Sequence, residues 1–133
     1  MPVPEDHRAL LTYGTTVALA TAGADGTPNV VPMAQLSWFD DDTLLIGDAF
    51  MKQTLANITE NPKVAVALWL DDPKVAYKYI GSARYCTDGP EFAQANALRL
   101  KKKPGSPNKG VVAIRIEKIH QAMPGPDAGA PIA

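Results

Sequence analysis

Lys52, Gln53 and Thr54 stand in succession and offer one ammonium, one carboxamide and one hydroxyl within three residues. They open a stretch from about Met51 to Asn61, closed by Pro62, that has the length and pattern of a short helix. The start of a helix leaves backbone N–H groups without partners and carries the positive end of the dipole. A cation, an amide and a hydroxyl at that place make a seat for a phosphate. A first-turn lysine works against the dipole, and an anion would relieve it. Other chemistries find less support. His7 and His120 lie far apart without metal-ligand spacing and are expected at the surface. Asp40-Asp41-Asp42 lacks the alternating ligands and distant Glu of a calcium loop. Cys86 has no neighbouring His and is expected to be a small buried apolar residue. No Ser/His/Asp or Cys/His grouping points to a hydrolase.

The elements around the seat must position it. Thr43 to Asp48 reads as a strand ending at Gly47-Asp48, and Val64 to Leu70 as a strand buried on both faces. Upstream, Glu5 to Tyr13 reads as a helix stopped by Gly14, and Thr15 to Ala22 as a strand. Gly23 to Gly26 is a hairpin turn, and Asn29 to Phe39 runs back as one long strand. Pro32 lies in the middle of that strand and cannot donate to a ladder. It marks an edge, a bulge, or a place where the backbone faces a ligand instead of another strand. Downstream, Val75 to Thr87 is a strand in which Gly81 marks a bend or bulge. A helix follows from Asp88 to about Leu100, with Pro90 in its first turn. The basic loop RLKKKPGSPNKG leads to a last strand, Val111 to Ile119. Residues 121–133, rich in Pro, Gly and Ala, are expected to be irregular unless ordered against a partner. Trp38 and Trp69 are expected in a core or an interface. Six mostly sequential antiparallel strands with two or three short helices favour a small barrel.

The chain has 133 residues, which suits one domain over 1–133 with its own core. A net charge of −1 gives no reason to expect nucleic acid or an anionic membrane surface as partner. A single cysteine excludes an intrachain disulfide. The opening MPVPEDHRALL lacks the basic-then-apolar pattern of a signal, and no apolar run approaches a membrane span. A cytoplasmic protein is expected.

Several segments, taken in order, resemble the pyridoxine 5′-phosphate oxidase-like family. They are Val17–Thr21, Gly26–Pro32, Leu44–Asp48, Lys52-Gln53-Thr54, Glu60-Asn61-Pro62, Ile80–Ala83 and Thr87–Glu91. The resemblance spans roughly residues 8 to 120 and is strongest to the family's small single-domain FMN-binding proteins. It implies a mainly β fold, an antiparallel split β-barrel. It also implies a homodimer with FMN at the subunit interface, acting with a redox partner or small-molecule substrate. The phosphate would lie on Lys52, Gln53 and Thr54, and the ring along Val31, Pro32, Met33, Ala34, Gly47 and Asp48. Asp48 is expected to turn to solvent or to cap the helix. Larger members usually carry an Arg-Lys pair where Gln53 and Thr54 stand, so Lys101-Lys102-Lys103 is a candidate second source of charge. The C-terminal signature of true pyridoxine phosphate oxidases is missing, so vitamin B6 oxidation is not expected. A deazaflavin cofactor on the same fold, or a non-catalytic flavin- or haem-binding module, are the alternatives.

Overall fold

The computed structural model describes residues 2–48 and 51–132. It contains α1 (Glu5–Leu10), β1 (Val17–Ala22), β2 (Pro28–Met33), β3 (Leu36–Trp38), β4 (Thr43–Asp48), α2 (Gln53–Glu60), β5 (Lys63–Asp71), β6 (Lys74–Cys86), α3 (Gly89–Lys102) and β7 (Gly110–Gln121). The strands form one antiparallel sheet in the order β2-β1-β5-β6-β7-β4-β3. The fold is mainly β, as expected, with seven strands where six were expected.

The extra strand comes from breaking the long one. Asn29 to Phe39 does not run as a single strand. At Ala34-Gln35 the backbone leaves its β1 partner: the Ala34 carbonyl accepts from the Gly14 N–H (2.8 Å) and the Gln35 carbonyl from the Gly47 N–H (3.0 Å). Before the break Met33 pairs with Val17, and after it Leu36 pairs with Ile46. β2 and β3 therefore follow each other in the chain yet occupy opposite edges of the sheet. Two residues join the edges of a curled sheet that does not close. Pro32 lies on the β2 edge, where its missing N–H breaks no ladder.

Inside the curl, alternate residues build the core. Val17 and Leu19, Leu44 and Ile46, Val64, Val66 and Leu68, and Ile114 and Ile116 are all buried there. β5 is not buried on both faces: Ala65, Ala67 and Trp69 point outward, and Trp69 is 55% exposed. Its apolar run reflects small or aromatic residues on the outer face. β4 is buried along its whole length because α3 covers its other side, where Leu45 meets Ala95, Val111 and Ala113. Gly81 sits at the irregularity expected of it: the β6–β7 register shifts between Ile80 and Gly81, and a Cβ at Gly81 would overlap the Arg115 carbonyl.

α1 ends sooner than expected, and its end is held by Trp38, whose indole N–H donates to the Arg8 and Leu11 carbonyls. His7 is not at the surface. It is 5% exposed, its Nδ1 lies 2.8 Å from the Tyr79 hydroxyl, and its ring meets Tyr77 edge-on. The C-terminal residues fold back on β7, with Gly129 N–H donating to the Gln121 carbonyl and Ile132 N–H to that of Ile119.

Candidate functional site

A cavity of about 400 Å³ occupies the place where the sheet fails to close. One wall is the β2 edge and the break after it, Val31 to Gln35. A second is the end of β4, Gly47 and Asp48, and the third is the approach to α2, Met51 to Thr54. The nine residues singled out from the sequence, Val31, Pro32, Met33, Ala34, Gly47, Asp48, Lys52, Gln53 and Thr54, all line it. Gln35 and Met51 join them. Gln35 had no local signal, because its position follows from the strand break.

α2 begins without a cap. Lys52 precedes it, no side-chain cap hydrogen bond is made among the described residues, and no acid stands in the first turn. Such an end has unspent donors and a positive dipole. Lys52 and Gln53 are exposed, whereas Thr54 is 2% exposed. The Thr54 hydroxyl accepts from Asn29 Nδ2 at 3.0 Å. Gln53 Nε2 donates to Asn57 Oδ1 at 2.8 Å, which ties the start of α2 to its second turn.

Asp48 neither faces solvent nor caps α2 directly. It is fully buried; its Oδ1 accepts from the Met51 N–H, and its Oδ2 accepts from the Tyr85 hydroxyl. Burial, then that hydrogen bond, then the Asp48 charge raise the Tyr85 phenol well above its ordinary pKa. Gly110 makes the contact possible, since a Cβ there would overlap the Tyr85 ring. Lys109 adds a cation: its Nζ is 3.9 Å from Asp48 Oδ2 and donates to the Met51 carbonyl at 2.6 Å. The basic segment thus approaches the site through Lys109. Lys101 and Lys102 fall in the last turn of α3, Lys102 Nζ lies 5.7 Å from the centre of the Tyr13 ring, and none of Lys101–Lys103 lines the cavity. The signal for Lys109 is the register that pairs Asp48 with Gly110, which local sequence does not reveal.

Gly47 lets two amides approach the cavity wall. A Cβ there would lie 2.6 Å from Gln35 Oε1 and 2.7 Å from Asn108 Nδ2. Gln35 Oε1 and both polar side-chain atoms of Asn108 are buried without hydrogen-bond partners among the described residues. Unpaired polar atoms beside a cavity favour a polar ligand.

With a curled, unclosed sheet and a cavity at the split, the chain belongs to the pyridoxamine 5′-phosphate oxidase family, whose model matches residues 3–123. It is 40% identical over 119 residues to uncharacterized protein MJ0282 of Methanocaldococcus jannaschii, covering 88% of this chain and 79% of that one. Among solved structures it is similar to an FMN-binding protein from Syntrophomonas wolfei (22% identity, TM-score 0.72, 95% of this chain and 83% of that one). It is also similar to an F420 Reductase (26% identity, TM-score 0.67, 88% and 98%). Among the described residues, no helix is long and apolar enough to cross a membrane.

Proposed function

We propose that this chain is an FMN-binding flavoprotein of the redox class, a small electron carrier or a flavin-dependent reductase. The uncapped, acid-free start of α2, opening on the cavity with Lys52 beside it, carries the reading. It fits a phosphate at that end. Of the remaining walls, the part formed by Val31 to Ala34 and Gly47 is apolar or backbone and suits a flat ring. A bound flavin supplies the electron chemistry; the chain supplies binding, orientation and the field around it. Asp48 has its charge answered by Tyr85, Lys109 and a backbone N–H, so it presents little free charge to a ring.

We further infer that two copies pair through the outer face of β2, β1 and β5. Residues opposite one another share a face, and here Pro28, Val30 and Pro32 lie beside Ala22, Ala20 and Ala18, with Ala65, Ala67 and Trp69 on the next strand. Val30 is 64% exposed and Trp69 55%. A continuous apolar sheet face of this kind calls for a cover, and small side chains allow a second sheet to come close. Pro32 belongs to both this face and the cavity, which supports a ligand lying near the partner copy in such a dimer.

Purified protein is expected to be yellow and to release FMN, identified by mass, on denaturation. A colourless preparation that also fails to bind added FMN overturns the proposal. Similarity to an F420 Reductase favours a second reading, a deazaflavin in the same cavity. Competitive titration separates the two: a preference for F420 over FMN replaces the first reading with the second.

A further inference from the structure

Behind the start of α2 a chain of side-chain hydrogen bonds ties Gln53 and Thr54, which line the cavity, to Thr21, Asn29 and Asn57, which do not. Gln53 Nε2 donates to Asn57 Oδ1, and Asn57 Nδ2 donates to the Thr21 hydroxyl at 3.0 Å. Asn29 Nδ2 donates to the same Thr21 hydroxyl at 3.2 Å and to the Thr54 hydroxyl at 3.0 Å. Thr21, Asn57 and Thr54 are each 5% exposed or less. β2 carries Asn29 to this place opposite Thr21, so the network links the edge strand, β1 and α2.

The chemistry of the groups gives the network a direction. A carboxamide nitrogen only donates, whereas a hydroxyl both donates and accepts. Asn57 turns its oxygen to Gln53, so its nitrogen faces Thr21. The two N–H bonds of Asn29 go one to each threonine. Thr54 Oγ1 is then an acceptor from Asn29, and its own proton remains for another acceptor. Among the described residues none receives it. Thr54 lines the cavity, so the proton is available to a ligand there. A group that accepts and does not donate, such as a phosphate oxygen, satisfies it.

We propose that Asn29 is a positioning residue: by donating to the Thr54 hydroxyl it directs that hydroxyl's proton into the cavity, toward a phosphate oxygen. The inference rests on the phosphate seat proposed above. It goes further in making the anion contact depend on a strand residue that does not line the cavity.

The test uses the full chain, with FMN and riboflavin as probes that share a ring and differ in the phosphate. Flavin fluorescence quenching gives both affinities for the wild type and for Asn29→Ala, Asn29→Asp, Thr54→Val and the double variant N29A/T54V. Loss of a bond to a charged group predicts a fall of about tenfold in FMN affinity for Asn29→Ala and for Thr54→Val, with riboflavin affinity unchanged. Asn29→Asp keeps the shape but turns the donor into an acceptor that claims the Thr54 proton. It is expected to lose more FMN affinity than Asn29→Ala. N29A/T54V is expected to be no weaker than Thr54→Val alone, because Asn29 acts through Thr54. A wild type that does not prefer FMN to riboflavin overturns the phosphate seat and this role with it. A wild type that prefers FMN overturns the role of Asn29 alone under any of three results. These are equal losses for both flavins in Asn29→Ala, additive losses in N29A/T54V, or wild-type FMN affinity in Asn29→Asp.

Discussion

Replacing Tyr85 with Phe removes the hydroxyl that bonds Asp48, a residue of the cavity wall, and its cost follows from what Asp48 keeps. The Asp48 carboxylate is fully buried and has three partners: the Met51 N–H, the Tyr85 hydroxyl and the Lys109 ammonium. Without the phenol hydroxyl, Oδ2 is left with Lys109 at 3.9 Å, and that ammonium is already engaged with the Met51 carbonyl at 2.6 Å. A hydrogen bond to a charged group contributes roughly 1.5–3 kcal/mol. The Tyr85 side chain is only half-buried, so water replaces part of the bond and the lower half, about 1.5–2 kcal/mol, is expected. For a chain of this length that corresponds to a fall in Tm of roughly 5–10 °C. Urea denaturation with an unchanged m-value is the assay, and Tyr77→Phe is the control, because the Tyr77 hydroxyl has no hydrogen-bond partner among the described residues. The Tyr85 phenol also carries a pH signature. Its folded-state pKa is raised, so the unfolded chain gives up this proton first as pH climbs past about 10. The contribution is fully present below that pH and is lost above it. Tyr79, raised chiefly by burial, behaves in the same sense. Tyr85→Phe is expected to flatten part of the alkaline fall and leave the Tyr79 part. A Tyr85→Phe protein within about 0.5 kcal/mol of wild type, with the same alkaline profile, would refute the assignment of Asp48 as a charge held by Tyr85.

Lys52→Ala and Thr54→Val are each expected to weaken FMN binding by about 1–3 kcal/mol, read by flavin titration; wild-type affinity in both would move the phosphate elsewhere. Trp69→Glu together with Val30→Lys is expected to convert a dimer into a monomer at micromolar concentration in sedimentation, since both charges fall on the apolar outer face. A wild type that already sediments as a monomer removes that face from the reading. Gly81→Ala is expected to destabilise the fold by about 1–3 kcal/mol or more, because the obstacle is the Arg115 carbonyl and backbone cannot swing aside as a side chain does. Gly23→Ala, whose nearest neighbours are side-chain carboxylate and amide oxygens, is expected to cost less, and equal losses in thermal melts would count against the bulge as the cause.

The parts of the site that were legible in the sequence are those whose chemistry is local. Lys52, Gln53 and Thr54 are consecutive, and a helix start presents consecutive residues to one place, so their joint role needed no tertiary knowledge. Pro32 was legible as an irregularity because a missing N–H has the same consequence in any sheet. What it marked, the edge beside the unclosed split, required the strand order. The break at Ala34-Gln35 was hidden because each half of the segment looks like a strand; only the choice of different partners, β1 and then β4, separates them. Lys109 was hidden for the same reason: it reaches Asp48 across a β4–β7 register that no short-range pattern encodes. His7 was read as a surface residue because nothing at metal-ligand spacing in the sequence offered it a role. Tyr79, seventy-two residues away, supplies the partner that lets it be buried.

A curled sheet that closed completely would hide every edge, which is the usual protection against unwanted pairing. Here the sheet leaves β2 and β3 as open edges, and the residues at the opening are of a kind that makes the opening useful. On the β2 side, Pro32 withholds an N–H from any further strand. On the β4 side, Gly47 keeps the wall thin enough for Gln35 and Asn108 to reach it, and Asp48 is fastened to Tyr85 so that the chain leaves β4 at a fixed point. α2 then brings an uncapped end to the gap. Each feature taken alone is a cost: an unpaired edge, an unsatisfied helix end, a buried charge. Their convergence on one cavity is what a ligand with a flat ring and a terminal anion would offset together. The outer face extends the same logic. Five alanines on β1 and β5, flanked by Val30 and Pro32, leave that side of the split without bulky cover. A second copy laid there would finish burying the edge that the first leaves open, so in the proposed dimer, assembly and ligand binding draw on one unfinished boundary of the sheet.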